Sequence, residues 1–230
     1  MRLYRFFVKF KINGDAVFVE DANFVNQVRN VLRMELGDSI LLCDDGIDIL
    51  SELESFDGNK VILKKIKESK NDSEPEKKIT LYCSILKHDN FEVVAQKAVE
   101  VGATNIVPIV SARTVKTNVR LDRLEKIVKE AAEQSGRAII PTVCGVMTFE
   151  EALTSAKSND ANIIFDVSSH DLPDKSDYGI NLGIFIGPEG GWTEEEVERA
   201  RINGFKVFSL GKLVLRAETA AIIATYIFAK

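Results

Sequence analysis

The chain has 230 residues, enough for one large domain or for a small one joined to a medium one. Hydrophobic residues make up 45% and charged residues 28%, an ordinary balance for a soluble globular protein. No apolar run approaches the roughly 20 residues a membrane helix requires. The start, Met1-Arg2-Leu3-Tyr4-Arg5-Phe6-Phe7, lacks the unbroken apolar centre of a signal peptide. The expected location is therefore cytoplasmic, with no membrane partner.

Three cysteines, Cys43, Cys83 and Cys144, are widely spaced and odd in number, as expected of reduced structural thiols. Neither they nor the two histidines, His88 and His170, form a group with metal-ligand spacing, so no metal site is expected. Net charge is −5, but the charge is segregated. Residues 1–11 carry Arg2, Arg5, Lys9 and Lys11 with no acid, whereas residues 35–57 carry eight acids and no base. Residues 111–137 carry seven bases against four acids. A basic face can then meet phosphates while the rest of the surface repels them, although solvated helix faces account for any single lysine equally well.

In chain order, alternating or apolar runs at 3–9 and 16–20 predict strands around an Asn13-Gly14-Asp15 turn. Asp21 can cap a short helix with Phe24, Val28, Val31 and Leu32 on its inner face. Strands follow at 39–43, 47–53 and 60–66, the last two joined through Asp57-Gly58-Asn59. Residues 1–67 thus read as a small β-barrel, a closure that removes sheet edges. Residues 68–78 contain no apolar side chain and read as a linker.

From residue 79 the pattern alternates strand and helix. Strands are predicted at 79–86 and 106–110, with a helix from Asp89 to Gly102 between them. A long helix at 121–135 turns Leu121, Leu124, Ile127, Val128 and Ala131 to one side. Thr148/Glu151 and Thr193/Glu196 fit capping boxes. Short apolar runs at 163–165, 182–186 and 207–210 suit buried parallel strands, and a last helix starts at Glu218. Residues 79–230 therefore predict an α/β domain with a parallel sheet and helices on both faces.

Two glycine loops stand out. Ile186-Gly187-Pro188-Glu189-Gly190-Gly191 follows one apolar run, and Leu210-Gly211 with Leu215-Arg216-Ala217-Glu218-Thr219-Ala220 follows another. Glycine lets a ligand touch the backbone. No Lys-Ser/Thr follows, so this is not a phosphate-cradling Walker loop, and Glu189 is a poor neighbour for pyrophosphate. A cationic ligand without phosphate, such as S-adenosylmethionine, is compatible; a purely structural glycine turn is the alternative. Arg216 reads either as an ion-pair partner of Glu218 or Glu189, or as a catalytic cation.

These stretches resemble the signature of the RsmE family of 16S ribosomal RNA (uracil-N3)-methyltransferases, in the SPOUT superfamily. Gln96-Lys97-Ala98-Val99-Glu100-Val101-Gly102, Glu130-Ala131-Ala132-Glu133-Gln134-Ser135-Gly136-Arg137 with Pro141, and Val31-Leu32-Arg33 with Gly37-Asp38 extend the resemblance over nearly the whole chain. Two departures are visible. Asn26, Gln27 and Asn30 stand where the family has a histidine, and Ser111-Ala112 precedes Arg113 where the family has an acid. The resemblance implies a PUA-like RNA-binding barrel followed by a trefoil-knotted SPOUT domain. It also implies S-adenosylmethionine as cofactor, a homodimer, and 16S ribosomal RNA, within the small subunit, as partner. The cofactor would be held by Phe165, Ile186, Gly187, Pro188, Glu189, Gly190, Gly191, Leu210, Gly211, Leu215, Arg216, Thr219 and Ala220. Arg216 and Arg113 would meet developing negative charge, and Glu189 would be a ligand contact, the partner of Arg216, or the base. Arg2, Arg5, Arg29 and Arg33 would contact phosphates, with Gln134 and Arg137 near the substrate. Two rival readings are a non-catalytic RNA-binding assembly factor and a related SPOUT enzyme acting on transfer RNA. Cofactor binding separates the first, and the N-terminal barrel argues against the second.

Overall fold

The computed structural model describes residues 3–174 and 178–229, so Arg2 lies outside the described residues. The chain forms two compact units: Met1–Glu74 with Ala132–Ile140, and Pro75–Ala131 with Pro141–Lys230. No helix of the described residues is long and apolar enough to cross a membrane.

In the first unit, β1 (Tyr4–Phe7), β2 (Lys11–Asn13), β3 (Ala16–Val19), β4 (Ser39–Asp44), β5 (Ile47–Asp57) and β6 (Lys60–Lys70) pair in the order β1-β4-β5-β6-β3-β2. Only β1 and β4 run parallel. Inward residues alternate with outward ones and enclose a core that includes Phe6, Val17, Phe24, Ile40, Leu53 and Leu63. Asp45 and Gly46 both have positive φ, 44° and 78°, the primed-turn geometry that sets the β4–β5 register.

Two local details differ from the expected pattern. The helix capped by Asp21 is only α1 (Ala22–Asn26), followed by a π-helical turn at Gln27–Val31. The extra residue per turn keeps Val28 buried but rotates Val31 to solvent, 65% exposed. Strand β6 also continues through Glu68, Ser69 and Lys70, paired with Ile49, Asp48 and Ile47. A strand extension requires a hydrogen-bonding neighbour rather than apolar side chains, so composition does not reveal it.

In the second unit, β7 (Lys78–Ser84), α2 (Asn90–Glu100), β8 (Ala103–Val110), α3 (Leu121–Ser135), β9 (Thr142–Val143), β10 (Met147–Thr148), α4 (Phe149–Ser155), β11 (Ala161–Phe165), β12 (Asn181–Ile186), α5 (Glu194–Ile202), β13 (Lys206–Phe208) and α6 (Ala217–Ala229) follow in turn. The last four residues of α3 are grouped with the first unit. The sheet is parallel, in the order β10-β8-β7-β12-β11-β13, with β9 also beside β8. Both capping boxes form, Thr148 with Glu151 and Thr193 with Glu196. Strand β12 lies between β7 and β11 and is buried from Leu182 to Ile186, as a central parallel strand covered on both faces must be. Its Phe185 stacks on Tyr82 at 4.3 Å and meets Phe205 edge-on at 5.0 Å.

Ion pairs tie residues 132–140 into the first unit. Arg5 makes a two-point bridge to Asp48 at 2.8 Å and also donates to the Arg137 carbonyl. Arg137 is 4% exposed and binds Glu74, whose Oε1 also accepts from the Ala138 N–H. Burial opposes ionisation of Glu74, but the Arg137 guanidinium and the two N–H groups of Ala138 and Ile139 outweigh it and hold its pKa below the ordinary value. A depressed carboxyl contributes stability above its unfolded pKa, and that contribution disappears as pH falls through the folded value. Glu74→Gln should therefore be less stable by about 2 kcal/mol at pH 7. Urea titrations from pH 7 to pH 3 should show this gap closing as acid protonates the wild-type carboxyl; a gap independent of pH would assign the loss to packing.

Candidate active site at the carboxyl edge of the parallel sheet

Register places Phe165, Ile186 and Cys83 level with one another, and Phe208 level with Phe165. The segments that follow these residues therefore leave the same edge of the sheet, where open α/β sheets bind ligands. A cleft of about 520 Å³ lies there, walled by the loop 186–192, by Phe165-Asp166-Val167 and by 214–218. A smaller hollow of about 90 Å³ shares Phe165, Asp166, Val214, Leu215 and Ala220 with it and adds Leu210 and Gly211.

The first loop is held from several sides. Trp192 is buried, and its Nε1 donates to the Phe165 carbonyl at 3.0 Å, joining the loop after β12 to the end of β11. A Cβ at Gly187 would stand 3.1 Å from the indole. The Gly191 N–H donates to the Pro188 carbonyl at 2.8 Å and closes the turn. Arg113 Nη1 donates to the carbonyls of Gly190 and Trp192 at 2.8 and 2.9 Å. In the same sense, buried Glu196 accepts from the Ala112 N–H through Oε1 while its Oε2 accepts from the Thr193 N–H, both at 2.8 Å.

Ten of the thirteen expected cofactor residues border the larger cleft, Leu210 and Gly211 border the smaller hollow, and Thr219 borders neither. Glu189 lines the cleft, and its Oε1 accepts from the Lys87 N–H at 2.8 Å. It is Glu218, not Glu189, that pairs with Arg216, loosely at 3.9 Å, and the Arg216 side chain remains 86% exposed. Arg113 borders the loop from outside and acts on its carbonyls. The floor is acidic: Asp166, Glu189 and Glu218 all line it. Below it, burial, reinforced by the charges of Glu189 and Glu218, pushes the Cys83 thiol up, so the group stays protonated. Burial likewise raises Cys43 and Cys144, and all three cysteines are free.

Sequence reasoning passed over Asp166, Val167, Trp192, Val214 and Glu218 as lining residues. The available signal was position, since each lies within two residues of an assigned residue. Of the expected RNA contacts, Arg29 is exposed with its guanidinium 4.4 Å from the Phe56 ring centre, and Arg33 and Gln134 are exposed. Arg5 and Arg137 are a correction: their guanidinium groups are occupied by Asp48 and Glu74, and the Arg137 side chain is only 5% exposed. Pairings across 43 and 63 residues of sequence are not visible in local composition.

Trp192 is the sole tryptophan and so reports on the loop by itself. Its ring also packs on Phe149, centres 5.3 Å apart, and cannot retreat freely from a methyl at position 187. Gly187→Ala should cost about 1–3 kcal/mol through overpacking and shift the tryptophan emission to the red. Unfolding midpoints with emission spectra check this; an unchanged spectrum and midpoint would show that the ring yields.

Comparison with known proteins identifies the family. The family described as RNA methyltransferase domain matches residues 73–229. A relative named ribosomal RNA small subunit methyltransferase E from Bacillus subtilis is 32% identical, covering 96% of this chain and 94% of its own. Its namesake from Rickettsia conorii is 31% identical over 87% of this chain and 84% of its own. The crystal structure of the Neisseria gonorrhoeae ribosomal RNA small subunit methyltransferase E bound to S-adenosylmethionine superposes with a TM-score of 0.89 at 33% identity, covering 98% and 96% of the two chains. With this match spanning both units, the chain belongs to the RNA methyltransferase domain family, in its ribosomal RNA small subunit methyltransferase E (RsmE) branch.

Proposed function

We propose that this protein transfers the methyl group of S-adenosylmethionine to N3 of a uridine in 16S ribosomal RNA. The observation that carries the reading is the cleft itself, a backbone-walled pocket with an acidic floor at the carboxyl edge of the parallel sheet. Asp166, Glu189 and Glu218 would repel a polyphosphate and favour a cationic ligand. The backbone of the loop 187–191 lines the cleft, and Phe165, Ile186, Leu215 and Ala220 supply apolar walls for a purine ring. These residues fit S-adenosylmethionine, with Leu210 and Gly211 extending the wall. When bound, the cofactor supplies an electrophilic methyl group.

The residues of the chain then have separate tasks. N3 of uracil lies between two carbonyls, and loss of its proton spreads negative charge onto O2 and O4. Arg216, exposed at the entrance of α6, is assigned to that charge. Glu189, steadied by the Lys87 N–H, is assigned the N3 proton. Arg113 shapes the loop from behind. The uridine enters unstacked.

The further architecture belongs to the same proposal. Residues 1–67 are read as a PUA-like barrel that carries Arg29 and Arg33 to the RNA backbone, and residues 79–230 as a trefoil-knotted SPOUT domain, in keeping with the similarity to the Neisseria gonorrhoeae structure. The protein is read as a cytoplasmic homodimer acting on the small ribosomal subunit. The exposed apolar residues Leu213, Val214, Ile223 and Ile227 support association through the α6 side.

Calorimetry with S-adenosylmethionine should show saturable binding, and none would remove the enzyme reading. Arg216→Ala should lower kcat about 10²–10³-fold while cofactor affinity is kept. Full activity of that variant would take Arg216 out of the mechanism. Mass mapping of methylated uridines in ribosomal RNA from cells lacking the protein identifies the position.

A further inference from the structure

Beside the cleft, the exits of three parallel strands converge, and the sequence reading assigned two of their lysines no role. After β7 come Lys87 and His88, exposed, with His88 at φ +53° turning the chain sharply into α2. After β8 come Arg113 and Lys116. After β12 comes the cleft loop. Hydrogen bonds lock the three exits together: Lys87 N–H to Glu189 at 2.8 Å, Lys116 Nζ to the His88 carbonyl at 2.9 Å, and Arg113 to the Gly190 carbonyl at 2.8 Å. The adjacent residue Asn90 lines the cleft.

Among the described residues the bases of this unit divide into paired and unpaired cations; Lys157 and Lys206 are unpaired elsewhere, and the rim gathers three of the unpaired ones. Arg120 pairs with Asp122, Arg123 with Glu92, Lys126 with Glu130, and Arg199 with Glu195. Lys87, Arg113 and Lys116 have no carboxylate within salt-bridge distance among the described residues, and Arg123 holds Glu92 away at 2.6 Å. Two exposed acids share the turns, Asp89 and Glu189, and Glu189 is engaged by the Lys87 N–H. The result is an acidic floor for a cation, bordered by ammonium and guanidinium groups without acidic partners. The acidic lining suits the cationic cofactor, and the rim beside it suits a polyanionic backbone.

We infer that Lys87 and Lys116, with Arg113 between them, form a phosphate-binding rim that grips the ribose-phosphate backbone of single-stranded RNA next to the target uridine. This rests on the methyl-transfer reading above and names the part of the substrate the rim takes. The contacts position the strand and carry no sequence information. Lysine serves here as a point charge on a flexible stem, suited to a backbone whose path varies. The rim lies on the cleft unit itself, so the nucleotide is held where the methyl group is delivered.

Lys87→Ala keeps the backbone N–H that Glu189 accepts, so it removes the ammonium without disturbing the loop. Affinity for a uridine-containing single-stranded RNA oligonucleotide is measured against salt for wild type, Lys87→Ala, Lys87→Arg and Lys116→Met. Each neutralised cation should reduce the slope of log affinity against log salt by about 0.7 and weaken binding about fivefold at 0.1 M salt. Lys87→Arg should keep the wild-type slope, and calorimetry with S-adenosylmethionine should be unchanged for Lys87→Ala. Wild-type slopes in both neutral variants, with wild-type methyl transfer intact, overturn the rim. A wild-type protein that neither binds S-adenosylmethionine nor methylates RNA overturns the reading beneath it instead.

Discussion

The site depends on one latch. Trp192 Nε1 donates to the Phe165 carbonyl, and the indole face stands against Gly187. The bond joins the loop after β12 to the end of β11, neighbouring strands in the parallel sheet. The bond carries the spacing set by the β11–β12 ladder, which ends at Phe165 and Ile186, beyond the edge of the sheet. A buried N–H without an acceptor costs on the order of 1–3 kcal/mol, so the indole enforces the loop as much as the loop houses the indole. Glycine suits position 187 because a Cβ there would stand 3.1 Å from the indole, tighter than ordinary contact.

Around the latch, charged side chains are used to hold backbone. Arg113 spends its guanidinium on two loop carbonyls, and Glu196 spends one carboxylate on N–H groups of two different segments. The bonds run one way: the segment 112–113 donates to the segment 190–196 through the Ala112 N–H and the Arg113 guanidinium. Loops at the end of a sheet have few ladder hydrogen bonds of their own, and such cross-bonds give them the rigidity that a preorganised site requires. Two acids that line the cleft have local partners, Asp166 accepting from the Ser168 N–H and Glu218 lying 3.9 Å from Arg216.

The first unit uses the same device. Arg5 with Asp48, and Arg137 with Glu74, form largely buried pairs to which backbone adds: the Arg137 carbonyl accepts from Arg5, and the Ala138 N–H donates to Glu74. Removing one member of such a pair leaves a charge without its partner, which is far costlier than loss of a surface bridge. Exposed Arg29, lying over Phe56, and Arg33 carry no such duty. The basic N-terminal stretch therefore divides into struts and free cations.

The one-dimensional pattern was enough for the parallel α/β unit. The boundaries of α3, both capping boxes and the buried run of β12 depend on periodicity, capping chemistry and apolar content, all of which are local properties. The two glycine loops were legible for the same reason, and with them most of the cleft wall. Tertiary structure decided what depends on distance along the chain. The continuation of β6 through Lys70, the spending of Arg5 and Arg137 on ion pairs, and the meeting of Lys87, Arg113 and Lys116 all require partners remote in sequence. A residue's type fixes what bonds its side chain can make, but only the fold fixes which partner reaches it first. An arginine that reads as an RNA contact becomes a strut once a carboxylate from another strand lies 2.8 Å away.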